Sequence, residues 1–128
     1  MITNSDETQP YQGEIWLIDF DPKHGSEIGK ERPAVVVNAD YVGRLPIRIV
    51  VPITKYQASR SSYPWMIDIH PGKRNGLRMH SHADCFQVKS LSTGRFLKKL
   101  GRINAEDLSE IHRALALCLG VTLLEGGE

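Results

Sequence analysis

From residue 13 onward, apolar and polar positions alternate in steps of two. Over residues 13–20, Ile15, Leu17 and Asp19 fall on one face of an extended segment, and Trp16, Ile18 and Phe20 fall on the other. Because both faces are largely apolar, the segment is expected to be a strand covered on both sides, central in its sheet. Asp21-Pro22 ends it, and a polar loop with Gly25 and Gly29 leads to Arg32-Pro33. Residues 34–38 form a short buried strand. After a connector containing Gly43, residues 47–53 form a third strand that ends at the hydroxyl of Thr54. Residues 55–62, with two bases and three serines, read as a flexible loop. Residues 65–69 alternate again, and the HPGKRNG run at 70–76 is a turn region. Residues 77–91 are expected to form one long or bulged strand, and 95–100 a further short strand or 3₁₀ segment.

The period then changes. Asn104 can cap a helix whose first turn carries Glu106 and Asp107, in register with the helix dipole. Leu108, Ile111, Leu115, Cys118 and Leu119 recur at spacings of three and four, and Gly120 suits the position just past the helix end. Strands followed by one terminal helix give a mainly-β α+β domain. The expected form is a small SH3-like β-barrel with a C-terminal helix, not a βαβ wind. The domain spans 13–121, between a flexible tail at 1–12 and a short tail at 122–128.

A chain of 128 residues fits one domain with a core of its own. Two cysteines, Cys85 and Cys118, are too few for a disulfide framework. Their apolar positions point to buried thiols in a reducing compartment. Residues 1–12 are polar and do not resemble a secretory signal, and no apolar run approaches the roughly 20 residues of a membrane span. The expected location is the cytoplasm, with no membrane contact. Net charge is only +1, but its distribution is uneven. Residues 13–102 hold 15 Lys and Arg against 8 Asp and Glu, a surplus of seven positive charges, while both ends are acidic. That distribution suits a polyanion lying on the strands; ordinary surface scatter is the alternative.

Arg32 is the first candidate for chemistry. The proline after it biases its backbone toward an extended form, and a guanidinium can grip two phosphate oxygens. Pairing with Glu27 or Glu31 on the surface is the other reading. Thr54 can present a hydroxyl at a strand end, or it is structural. Ser26 and Glu27 lie in a Gly-Ser-Glu turn, with Lys23, His24 and Lys30 adding charge nearby. His80, His82 and Asp84 could share a metal along one strand face. Three ligands within five residues are awkward, however, so no metal is expected; a solvated strand edge is favoured, with an acid/base or RNA-contacting histidine as the alternative. His24, His70 and His112 are read as surface residues. Phe86 is read as core before base-stacking ring. Arg60, Lys73, Arg74 and Arg78, with Tyr56, Tyr63 and Trp65 nearby, suit a single strand of RNA.

The motifs GSE…ERPAVVV, PIT and FQVKS…LGRI resemble the MazF/PemK family of toxins over nearly all of residues 13–120. The resemblance implies a type II toxin–antitoxin toxin that is a metal-independent, sequence-selective endoribonuclease with no cofactor. It would act on single-stranded RNA, mRNA in particular, and leave 2′,3′-cyclic phosphate and 5′-hydroxyl ends. It further implies Arg32 and Thr54 as catalytic residues, and Ser26, Glu27, Lys30, Lys55, Arg60 and Gln87 as RNA contacts. A homodimer and a cognate antitoxin are the implied partners. One position departs from the family pattern, which usually has an acidic residue directly before Gln87. Here Phe86 stands there, with Asp84 two residues further back. A non-catalytic relative of the same fold that poisons DNA gyrase is the alternative, disfavoured by the Glu-Gly-Gly-Glu ending. A third reading is a degenerate interaction module.

Overall fold

The structure, a computed structural model, describes residues 9–43 and 45–122. Seven strands come first: β1 (Glu14–Asp19), β2 (Glu31–Val36), β3 (Ile47–Lys55), β4 (Met66–Ile69), β5 (Ser81–Asp84), β6 (Lys89–Ser92) and β7 (Phe96–Arg102). One helix, α1 (Ala105–Leu119), closes the chain, and single 3₁₀ turns lie at Ala58–Arg60, Cys85–Gln87 and Thr93–Arg95. All strand pairs are antiparallel, in the order β4-β5-β3-β2-β1-β7, with β6 also on β3. Among the described residues this path does not close, so the expected barrel is a strongly shared open sheet.

β3 is long enough to serve three neighbours. Residues 47–50 pair with β6, residues 50–52 with β2, and residues 53–55 with β5. β5 and β6 run antiparallel along β3, interrupted by the three-residue turn at Cys85–Gln87. The expected strand over 77–91 is therefore bulged, and its pairing begins only at Ser81. β2 and β3 each reach further toward the site than the apolar pattern indicated. β2 starts at Glu31, with Arg32 paired to Ile18, and β3 runs through Thr54 to Lys55.

Two cores explain why both faces of β1 are apolar. Ile15 joins Val35, Val51, Ile53, Ile69, Ala83 and Cys85 beneath α1, which contributes Ile111 and Ala114. Trp16, Ile18 and Phe20 pack on the other face with Ala34, Val36, Val50, Leu91 and Phe96. Trp16 and Phe96 meet edge to face, with ring centroids 5.7 Å apart, a favoured aromatic geometry. α1 starts where the cap requires. Asn104 Oδ1 accepts the Asp107 N–H at 2.7 Å, and Gly120 adopts the left-handed φ of 74° that ends the helix.

Several local expectations are corrected. Leu119 is exposed, and the buried stripe of α1 runs through Leu108, Ile111, Ala114, Leu115 and Cys118 instead. Cys85 is buried and its thiol is pushed up to about 12, chiefly by that burial. Cys118 is only half-buried. Pro10, placed in the flexible tail by sequence, is fully buried, and Gln12 bonds Asp40 and the Val37 carbonyl. Residues 1–8 and 123–128 of the two expected tails lie outside the described residues.

Candidate active site

Strand register places the two leading candidates together. β2 and β3 pair through Ala34↔Pro52, Val35↔Val51 and Val36↔Val50. Continuing that register past its last rung brings Arg32 level with Thr54. Both residues line one cavity of about 550 Å³ at this end of the sheet. Ser26, Glu27, Lys55, Arg60 and Gln87 line it as well, so seven of the eight residues singled out from sequence share one site. Lys30 is the exception. It is exposed at a φ of 68°, outside the cavity wall, with its N–H held by Asp21 Oδ1 at 2.8 Å.

The side chains are held in ways the sequence could not show. Arg32 Nε donates to the Gly29 carbonyl at 3.0 Å, which orients the guanidinium. Among the described residues no ion pair joins Arg32 to Glu27 or Glu31, which sets aside the surface-pair reading. Thr54 Oγ1 is buried with no hydrogen-bond partner, as is Asp84 Oδ1. Buried polar atoms without partners are costly, so two of them on one cavity wall form a surface ready for a polar ligand. Burial raises the Asp84 carboxyl above its usual range, and this outweighs backbone hydrogen bonding and the nearby charge of Arg60.

Gln87 closes the floor. Its Oε1 accepts the Ile28 N–H and its Nε2 donates to the Ser26 carbonyl, both at 3.2 Å. Its amide therefore holds the Gly-Ser-Glu loop in place. Glu27 is likewise engaged within that loop, where Oε1 accepts the His24 N–H at 3.3 Å. Four bases (Lys23, Arg32, Lys55 and Arg60) face two acids (Glu27 and Asp84) around the cavity, an anion-attracting balance. Arg32, Thr54 and Lys55 also border a second depression of about 400 Å³ that reaches Arg78. A path for an extended ligand thus passes over the Arg32–Thr54 pair.

Phe86 is 68 % exposed, so the core reading is overturned. It tilts against Trp65 at 5.5 Å, and Trp65 stacks on Tyr63 at 4.9 Å, with Tyr63 itself on the cavity wall. His82, read as a solvated edge, is fully buried, with its Nε2 taking the Gln57 N–H at 3.1 Å. His80, His82 and Asp84 do not gather around one point; Asp84 belongs to the cavity, whereas His80 groups with Asp68 and His70. Gln57 and Asp84 are polar cavity residues that the motifs did not select for this site. Lys73, Arg74 and Arg78 are exposed, as expected of basic loops.

Comparison with known proteins matches this architecture to a single family. Residues 11–119 fit the family model described as PemK-like, MazF-like toxin of type II toxin–antitoxin system. The chain belongs to this family. It is 36% identical over 114 residues to endoribonuclease MazF9 of Mycobacterium tuberculosis, covering 84% of this chain and 94% of that one. The crystal structure of MazF from Deinococcus radiodurans superposes with a TM-score of 0.73 at 24% identity, covering 88% of this chain and 97% of that one. An endoribonuclease from a mycobacterial species, solved with its cognate antitoxin, superposes at 0.71 with 16% identity, covering 91% and 100%. These two structures support the fold: antiparallel strands with one C-terminal helix. The gyrase-poison alternative gains no support from these relatives, and its tail argument falls on residues 123–128, outside the described residues. As a MazF-like toxin, this chain keeps the GSE, Arg-Pro and Pro-x-Thr elements around one cavity, and Asp84 places a carboxylate on its wall.

Proposed function

We propose that this chain is the toxin of a type II toxin–antitoxin pair, and that it cleaves single-stranded RNA, mRNA in particular, at the Arg32–Thr54 cavity. The observation that carries the reading is the convergence of an oriented guanidinium and an unpartnered buried hydroxyl in a basic cavity, in a chain 36% identical to an endoribonuclease. In the reaction, the ribose 2′-oxygen attacks the adjacent phosphorus and the bond to the 5′-oxygen breaks. A 2′,3′-cyclic phosphate and a 5′-hydroxyl result. The 2′-hydroxyl loses a proton and the departing 5′-oxygen gains one, so no further reactant is consumed. Arg32 neutralises the charge that builds on the phosphoryl oxygens, and Thr54 donates a hydrogen bond to one of them. Asp84, with its proton affinity raised by burial, is suited to receive the 2′-hydroxyl proton.

Tyr63, Trp65 and Phe86 offer ring faces beside the cavity for unstacked bases. Two such chains related by a two-fold axis would give a longer groove, with α1 and the strand near Gln87 as the contributing elements. A homodimer at micromolar concentration in the cytoplasm follows from this reading. An acidic antitoxin segment would lie along the same basic surface and exclude RNA by occupancy. Among the described residues, no helix is long and apolar enough to cross a membrane.

The test is incubation of mixed-sequence RNA with purified protein in EDTA, followed by end-group analysis. Discrete fragments with 5′-hydroxyl and cyclic-phosphate ends are expected. Intact RNA, or 5′-phosphate ends, would reject the mechanism.

A further inference from the structure

On the outer part of the β4–β5 hairpin, four ligand-type side chains form a square. β4 and β5 pair with Asp68 opposite His82 and Ile69 opposite Ser81. One more step of that register sets His70 opposite His80, and their rings stack with centroids 4.3 Å apart. Residues two apart on a strand share a face, so Asp68, His70, His80 and His82 all project from the same side of the hairpin. A single strand separates such residues by almost 7 Å, whereas cross-strand neighbours stand about 5 Å apart. The group therefore depends on the β4–β5 pairing, which spacing along one strand does not encode.

The polar atoms of the square converge. One ligand atom each from Asp68, His70 and His80 lies within 4.8 Å of the other two. His80 Nε2 is 3.5 Å from Asp68 Oδ2, and His82 Nδ1 is 3.4 Å from Asp68 Oδ1. Neither contact is aligned as a hydrogen bond, and both ring nitrogens are buried atoms without a partner. The second is the independent sign of a ligand site. His82 is fully buried, its Nε2 is engaged by the Gln57 N–H, and its remaining nitrogen is aimed at the carboxylate. Tyr56 roofs the group, stacked on His80 at 4.0 Å and tilted against His82 at 4.7 Å.

We propose that Asp68, His70 and His80 form a binding site for one divalent transition-metal ion of the zinc or nickel type, with His82 orienting Asp68 from behind. Two imidazoles and one carboxylate, with room for water, form a donor set these ions accept. Ligating carboxylates are themselves held by a further polar group, and His82 Nδ1, 3.4 Å from Asp68 Oδ1, is placed to become one. Half-exposure of Asp68 leaves an entry path, and binding would turn the exposed His70 and the partly exposed His80 out of their stack so that both in-plane lone pairs meet one ion. The ion would not be part of the RNA chemistry. Its three ligands do not line the cavity; His82, between Thr54 and Asp68 in the strand order, and Tyr56, between Lys55 and Gln57 in the chain, link the two.

The test is titration of untagged, EDTA-treated protein with Zn²⁺ and with Ni²⁺ at pH 7.5, read by calorimetry without RNA. One ion per chain is expected, with affinity lowered at least tenfold in Asp68→Asn, His70→Ala and His80→Ala. His24→Ala and His112→Ala should bind as the parent does. Circular dichroism checks that each variant is folded; because His70 is exposed, its variant decides the matter if another fails to fold. Parent binding no tighter than His70→Ala, or equal losses in the control variants, would overturn the site. Cleavage of RNA in EDTA is expected to continue in His70→Ala, so loss of the metal site and loss of the nuclease reading are separable.

Discussion

Arg32 and Thr54 owe their meeting to strand register, and each is useless to phosphoryl chemistry without that placement. Arg32 is aimed by the Gly29 carbonyl, and Thr54 has a hydroxyl with nothing else to bond. Arg32→Ala and Thr54→Ala should therefore each lower kcat/KM at least ~100-fold, or ~2.7 kcal/mol of transition-state stabilisation, while leaving the fold intact. Activity within a few-fold of the parent in either variant would remove that residue from the mechanism. Asp84 makes a second prediction. Because burial raises its carboxyl, the active ionised form is lost as pH falls through that raised value. An acid limb in the kcat/KM profile is expected, and Asp84→Asn should lower activity and abolish the limb; an unchanged limb would assign it to another group. Arg32 and Thr54 were legible because each sits in a short local motif. Asp84 was not, because its nearness to the site depends on the pairing of β3 with β5, which local pattern does not encode; Gln57, three residues past Thr54, carries no motif of its own. Phe86 was misread for a related reason. It lies in an alternating run, but the 3₁₀ turn at Cys85–Gln87 swings it out onto Trp65.

At the scale of elements, the site depends on one loop being held by one side chain. The Gly-Ser-Glu segment has no strand pairing of its own, and Gln87 ties its backbone at two points 61 and 59 residues away in sequence. Removing that clamp should free the loop without touching the reacting groups. Gln87→Ala is expected to weaken RNA binding and to raise protease sensitivity within residues 23–30, while Gln87→Glu, which retains only the acceptor, should fall between. Proteolysis at the parental rate would show that the loop holds itself. α1 was legible almost to the residue, since its cap, dipole charges and terminal glycine are all local signals. Strand ends were less so. Pro33 looked like the edge of β2, yet it sits inside the strand opposite Leu17, at an early position where a missing N–H is tolerated. The 77–91 run, expected as one long or bulged strand, is two strands parted by the turn at Cys85–Gln87, because linear pattern does not mark where pairing stops.

The whole molecule balances a buried acid against surface bases and concentrates other bases at the cavity. Glu14 is nearly buried, where its carboxylate accepts from Tyr11 N–H and the Trp16 indole, each at 3.0 Å, and pairs with Lys99 at 2.9 Å. Burial acts to raise its pKa, but these partners more than offset that and leave it below its ordinary 4.5. A depressed folded value means the stabilisation is complete above 4.5 and is lost as pH falls through the lower folded value. Denaturant midpoints should therefore decline on acidification, and Glu14→Gln should reduce that decline; an identical pH dependence would discount Glu14. The cavity charges set the remaining expectation. Bulk composition hid them, since net charge is only +1, but four bases gathered on one cavity wall act together on a phosphate chain. Each phosphate neutralised on a single strand contributes about −0.7 to the slope of log affinity against log salt, so four predict a slope of about −3. An RNA with 2′-deoxy sugars, which lacks the attacking hydroxyl, allows binding to be measured without cleavage. Arg60→Ala should make the slope shallower by about one phosphate's share while leaving the chemistry at Arg32 and Thr54 in place. A slope near zero in the parent, with tight binding retained at high salt, would mean that ring stacking on Tyr63, Trp65 and Phe86 carries the affinity and that the basic wall does not.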